Sequence, residues 1–204
     1  MSGLTHEFHD GVPDAPLLLL LHGTGGGPGD LVRLAREISP GSPLLAPLGP
    51  VSENGAARWF RRLAEGVFDH EDVVARTGQL AEFVTAARQE HGVADRRVVA
   101  VGFSNGANIA AALALLRPEV LDEAVLFSAM LPLPDSPERD LSGSRVLLSG
   151  GQRDPMAPMV AARDLVAVLR GRGAEVTEHW HEGGHQITFE AIDLAKRWIS
   201  APPR

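Results

Sequence analysis

Five consecutive leucines, Leu17–Leu21, run without a polar residue into the turn His22-Gly23-Thr24-Gly25-Gly26-Gly27. A strand with one face in water alternates apolar and polar residues, because successive side chains point to opposite faces. An unbroken apolar run is instead a strand covered on both faces, as in a parallel sheet with helices above and below it. Val98–Phe103 (VVAVGF) reads the same way, as do 124–128 (AVLFS), 145–150 (RVLLSG) and the short 43–47. Residues 175–180 (EVTEHW) alternate more and read as an edge strand. Helical spacing fills the intervals at 30–39, 72–91, 105–116, 158–170 and 185–199. The second of these places Val73, Val74, Leu80, Phe83, Val84 and Ala87 on one face, and the third is apolar nearly all round, so it belongs at the centre. Strand and helix alternate to the end of the chain. That pattern predicts one α/β domain over 1–204, a mostly parallel central sheet flanked by helices. Residues 1–10 and 201–204 are expected to be loose, and 132–144 a polar, proline-rich loop.

Composition narrows the chemistry. The net charge is −7 and the positive charges are almost all arginine, with Lys196 the one lysine. Nucleic acid and anionic membrane surfaces both select basic proteins, so neither is an expected partner. Without cysteine there is no disulfide, thiolate nucleophile or zinc–thiolate site. The opening MSGLTHEFHDG lacks the basic and apolar segments of a secretory leader. No apolar run approaches the ~20 residues that span a bilayer. A cytoplasmic protein is expected.

The strand Val98–Phe103 ends in Gly102-Phe103-Ser104-Asn105-Gly106, and a strongly helical segment follows. G-x-S-x-G between a strand and a helix is a nucleophile elbow, a sharp turn in which glycines let strand and helix approach. Ser104 then sits at a helix N-terminus, where developing negative charge is favoured. A serine needs a base and the base needs an orienting acid, in the chain order Ser, Asp/Glu, His. Asp154, in SGGQRDPMAP after 145–150, and His185, in HEGGHQ after 175–180, satisfy the order and the strand-end placement. Asp164 and Asp193 fall within predicted helices, and Asp135 and Asp140 in the polar loop, so they fit less well. His179 and His181 are the rivals of His185. Together the three spell H-x-H-x3-H, a spacing some metal sites tolerate, but no carboxylate pattern completes a shell. No metal and no cofactor are expected.

The glycine turn after the leucines lacks the lysine of a nucleotide-triphosphate loop and breaks the dinucleotide fingerprint at Pro28. His-Gly-x-Gly after an early strand instead suits half of an oxyanion hole. The backbone N–H groups of Thr24 and Asn105 are the expected donors, each worth on the order of 3 kcal/mol in a transition state. His22 reads as a packing or supporting histidine.

These segments, in order, resemble an α/β-hydrolase of the carboxylesterase/phospholipase family, which also contains acyl-protein thioesterases. The matching pieces are LLLLHGTGG, ARWFRRLAEGVFDHEDV, VAVGFSNGANIA, VLFSAMLP, GGQRDPMAP and GGHQI. Trp59-Phe60 and the stretch from Glu65 to Asp69 resemble a bacterial subgroup described as hydroquinone- or stress-associated hydrolases. The resemblance implies the α/β-hydrolase fold with a minimal lid or none. It implies an acyl pocket drawn from Met130 and Leu131, with Trp59 and Phe60 nearby; Met156, where relatives often carry valine, is a further candidate for the pocket wall on the acid loop. Core packing is the other reading of that aromatic pair, and Arg58, Arg61 and Arg62 read as a solvated face. Relatives of this kind often dimerise, so a homodimer is compatible, though the sequence identifies no interface. The expected activity is serine hydrolysis of small or short-acyl esters, or thioesters, through an acyl-enzyme. The competing reading is a hydrolase-fold sensor that holds a small molecule with little turnover. A lyase-like or haloperoxidase-like use of the same site ranks lower, and a cysteine-dependent dienelactone reaction is disfavoured because position 104 is serine.

Overall fold

The computed structural model describes residues 3–64 and 66–201. Residues 1, 2 and 202–204 of the expected loose ends, and Glu65 of the quoted family segment, lie outside them. The chain begins with β1 (His6–His9), β2 (Leu17–Leu21), α1 (Val32–Ile38) and β3 (Leu44–Pro47). Two short hairpins follow, β4 (Val51–Glu53) with β5 (Ala56–Arg58) and β6 (Arg62–Ala64) with β7 (Val67–Phe68). Then come α2 (His70–Glu90), β8 (Val98–Phe103), α3 (Asn105–Leu116), β9 (Glu123–Phe127), β10 (Arg145–Gly151), α4 (Met159–Gly171), β11 (Glu175–His181) and α5 (Phe189–Ser200).

Seven strands form one sheet in the order β1-β3-β2-β8-β9-β10-β11, parallel except for β1. The sheet divides the interior into two cores. Leu17, Leu19, Leu21, Ala100, Leu126 and Leu148 face the layer of α2, α3 and α4. Leu18, Leu20, Val99, Val101, Val125 and Leu147 face α1 and α5. Alternate residues of one strand thus feed opposite layers, which is why these strands tolerate no polar residue.

Four expectations are corrected. Residues 6–9 are not loose: β1 pairs antiparallel with β3, Phe8 packs on the core, and its ring stacks on His91 at 3.9 Å. An edge strand of four residues needs only one buried side chain, so HEFH carries little pattern. Val74 is 50% exposed, because it lies one helical step, about 100°, from buried Val73. Arg58 is 4% exposed and not part of a solvated face. Finally, α5 begins at Phe189, so His185 lies in the loop before the helix.

At the end of the sheet away from the strand carboxyl termini, buried Glu123 lies between Arg97 and Arg145. The same guanidiniums donate to carbonyls at the end of α5, Arg97 to Ile199 at 3.0 Å and Arg145 to Trp198 at 3.1 Å. A buried carboxylate needs such partners to stay charged.

Candidate active site

The carboxyl ends of β2, β8, β10 and β11 lie at one end of the sheet, and the loops after them carry the candidate residues. Ser104 stands between β8 and α3 with φ 53° and ψ −118°. Such a conformation costs a non-glycine residue about 1–3 kcal/mol and persists only where its surroundings enforce it. Here the Ser104 amide donates to Phe127 O at 2.9 Å, and the Ser104 carbonyl accepts from the Asn108 amide at 2.9 Å. Gly106 is obligatory for the turn: a Cβ there would lie 1.9 Å from Leu21 O, so α3 could not rest against β2.

Asp154 and His185 meet across two loops, His185 Nδ1 lying 2.7 Å from Asp154 Oδ2. The loops are joined by their backbones. Gln152 N donates to His181 O at 2.8 Å, and Arg153 N to Gly183 O at 3.0 Å. An Nδ1 facing a carboxylate carries the proton, which leaves Nε2 as the basic nitrogen. Burial pushes the Asp154 carboxyl upward, but the Ala157 amide, the His185 ring and the Met156 amide together outweigh it. The net shift is below the usual carboxylate value, so Asp154 is held ionised. The His185 ring lies against that of Phe103, the residue before Ser104, with centroids 5.0 Å apart. Among the described residues the Ser104 hydroxyl makes no hydrogen bond.

Neither the Thr24 nor the Asn105 amide has a hydrogen-bond partner among the described residues. The turn that carries Thr24 is nevertheless well fixed. His22 Nδ1 donates to Gly23 O at 2.7 Å, and His22 Nε2 accepts from the Gly49 amide at 2.9 Å. Burial holds His22 below its ordinary pKa, consistent with a neutral ring in this supporting position. Arg58 donates to Thr24 Oγ1 at 2.9 Å, and Gly25 N donates to Ala57 O at 2.8 Å. The β4–β5 hairpin therefore buttresses the turn.

A cleft of about 200 Å³ opens at Ser104. Met130 and Met156 line it, as do Thr24 and Asn105. Leu131, Trp59 and Phe60 do not. Leu131 packs against the core under α4, and Trp59 and Phe60 are fully buried. Trp59 instead braces the site from behind: its amide donates to Asn105 Oδ1 at 2.8 Å and its indole to His22 O at 2.9 Å. The sequence reading missed Arg58, Arg62, Phe68 and Asn108, which also line the cleft. Only the pairing of the two hairpins brings the first three there, and no local pattern marks it. Among the described residues no group of three His, Asp or Glu side chains could hold a metal. His179 Nδ1 bonds Ser149 Oγ at 3.0 Å, and His181 Nδ1 accepts from the Gly183 amide at 3.1 Å. No helix among the described residues is long and apolar enough to cross a membrane.

The profile of the phospholipase/carboxylesterase family matches residues 9–201. The chain is 42% identical to the MhqD protein of Bacillus subtilis (strain 168) over 195 residues, 96% of this chain and 97% of that one. The Bacillus cereus carboxylesterase superposes with a TM-score of 0.93 at 41% identity, covering 96% of this chain and 93% of its own. YahD, solved with malic acid, gives a TM-score of 0.91 at 30% identity, covering 97% of this chain and 98% of its own.

Proposed function

Because the chain belongs to the phospholipase/carboxylesterase family and has the α/β-hydrolase fold, we propose that it is a cofactor-independent serine hydrolase of small or short-acyl carboxylic esters, thioesters included. The observation that carries this reading is the 2.7 Å His185–Asp154 pair at the same sheet end as the strained Ser104. His185 Nε2 takes the Ser104 proton as Oγ attacks the acyl carbon, and Asp154 stabilises the resulting imidazolium. The partnerless amides of Thr24 and Asn105 receive the oxyanion. His185 then protonates the leaving alcohol or thiol, and water repeats the cycle to release the acid and regenerate Ser104. A cleft of about 200 Å³ suits a short acyl group, and a relative solved with malic acid fits a site for small polar molecules.

The test is hydrolysis of p-nitrophenyl esters from acetate to decanoate by wild type and Ser104→Ala. Wild type should turn over the short members, and the variant should lose about 10³-fold or more in kcat/KM. Equal activity in both proteins, or none in either, overturns the assignment. In the second case, stoichiometric labelling of Ser104 by a fluorophosphonate without turnover would favour the sensor reading.

A further inference from the structure

A second cleft, of about 480 Å³, lies on the other side of the glycine turn, lined by Gly23–Gly26, Asp30, Leu31 and Phe103. Thr24 is common to both clefts, so the amide that receives the oxyanion stands on their border. An ester whose carbonyl oxygen rests there has its two halves on opposite sides of that border. His185 must reach the leaving oxygen to protonate it. Its ring lies against Phe103, which lines the second cleft and not the first. This contact links the second cleft, which neither Ser104 nor His185 lines, to the leaving-group side of the site.

The second cleft has a charge of its own. Asp30 is exposed and makes no ion pair among the described residues. Its carboxylate lies over the turn, since a Cβ on Gly26 would sit 2.3 Å from Asp30 Oδ2. Arg58 and Arg62 belong to the other cleft. Resting on the serine-hydrolase reading above, we propose that Asp30 and Phe103 form a leaving-group subsite that favours esters of cationic alcohols. The ring supplies an apolar, polarisable floor for an alkylammonium group and the carboxylate its counter-charge.

The test compares acetylcholine with its uncharged isostere 3,3-dimethylbutyl acetate, in wild type, Asp30→Asn and Asp30→Lys. An exposed carboxylate is a modest lever, so the ratio of kcat/KM values should fall about threefold from wild type to Asp30→Asn and further in Asp30→Lys. The differences between the proteins should shrink in 1 M salt. A trimethylammonium group moved to the acyl side, in methyl 4-(trimethylammonio)butyrate, should be far less sensitive to position 30. A flat ratio across the three proteins overturns the proposal, as does an equal effect on acyl-side charge. Both outcomes leave the hydrolase reading standing if 3,3-dimethylbutyl acetate is still cleaved in a Ser104-dependent way. Absence of cleavage of every ester, p-nitrophenyl acetate included, overturns both.

Discussion

Asp154 contributes to stability as well as to the site. Its folded pKa is depressed, so the carboxylate's contribution is complete above its unfolded value, about pH 4, and is lost as pH falls through the folded value. Urea unfolding between about pH 5 and about pH 2.5, which brackets the unfolded value of about 4, should show stability falling with acid in wild type. The slope should be shallower in Asp154→Asn, which keeps an oxygen for the Met156 and Ala157 amides but has no proton to bind. An unchanged slope would mean that other carboxylates set the acid limb. Gly106 offers a sharper test. Gly106→Ala puts a methyl 1.9 Å from Leu21 O and should destabilise by at least about 1–3 kcal/mol. Gly78→Ala within α2 meets open space and should stabilise by about 0.5–1 kcal/mol. Urea midpoints check both. The loops that carry Ser104 and Asp154 stand out in the sequence because each follows a continuous apolar run, whereas His185 follows the alternating β11 and is picked out by the Ser, Asp, His chain order. Arg58 was not, because Arg58-Trp59-Phe60-Arg61-Arg62 alternates charge and bulk with no period, and only the β4–β5 pairing turns Arg58 inward.

Between β11 and α5 the chain has to release His185 from regular structure. Gly183-Gly184 opens the loop and Thr188 closes it, its side chain accepting from the Ala191 amide at 3.3 Å as the N-cap of α5. Thr188→Ala should cost about 1 kcal/mol of stability by urea unfolding, with Thr188→Ser near wild type. Equal losses in the two variants would assign the effect to packing. Helical spacing alone predicts this helix from 185, whereas the Thr188 cap starts it at Phe189. Spacing likewise starts α2 late, at 72 instead of His70, although Asp69 accepts from the Asp72 amide as a regular N-cap. Helices and buried strands announce themselves through periodicity. Their ends depend on one or two hydrogen bonds, and the short hairpins between β3 and α2 depend on pairing alone.

The architecture of the whole molecule was the most legible level, because a two-faced sheet demands continuous apolar runs that few other folds use. One of its features bears on how the protein fails. Ser104 leads into α3, in the thicker layer, whereas His185 leads into α5, in the layer shared only with the seven-residue α1. The Arg97 and Arg145 clamp holds α5 at its far end, so under mild denaturant it should open from Thr188, beside His185. Ester turnover should therefore decline at a lower urea concentration than far-ultraviolet circular dichroism, and superimposable curves would refute this order. Inactivation would then precede loss of the fold, and an assay of catalysis would register damage that spectroscopy of the fold still overlooks.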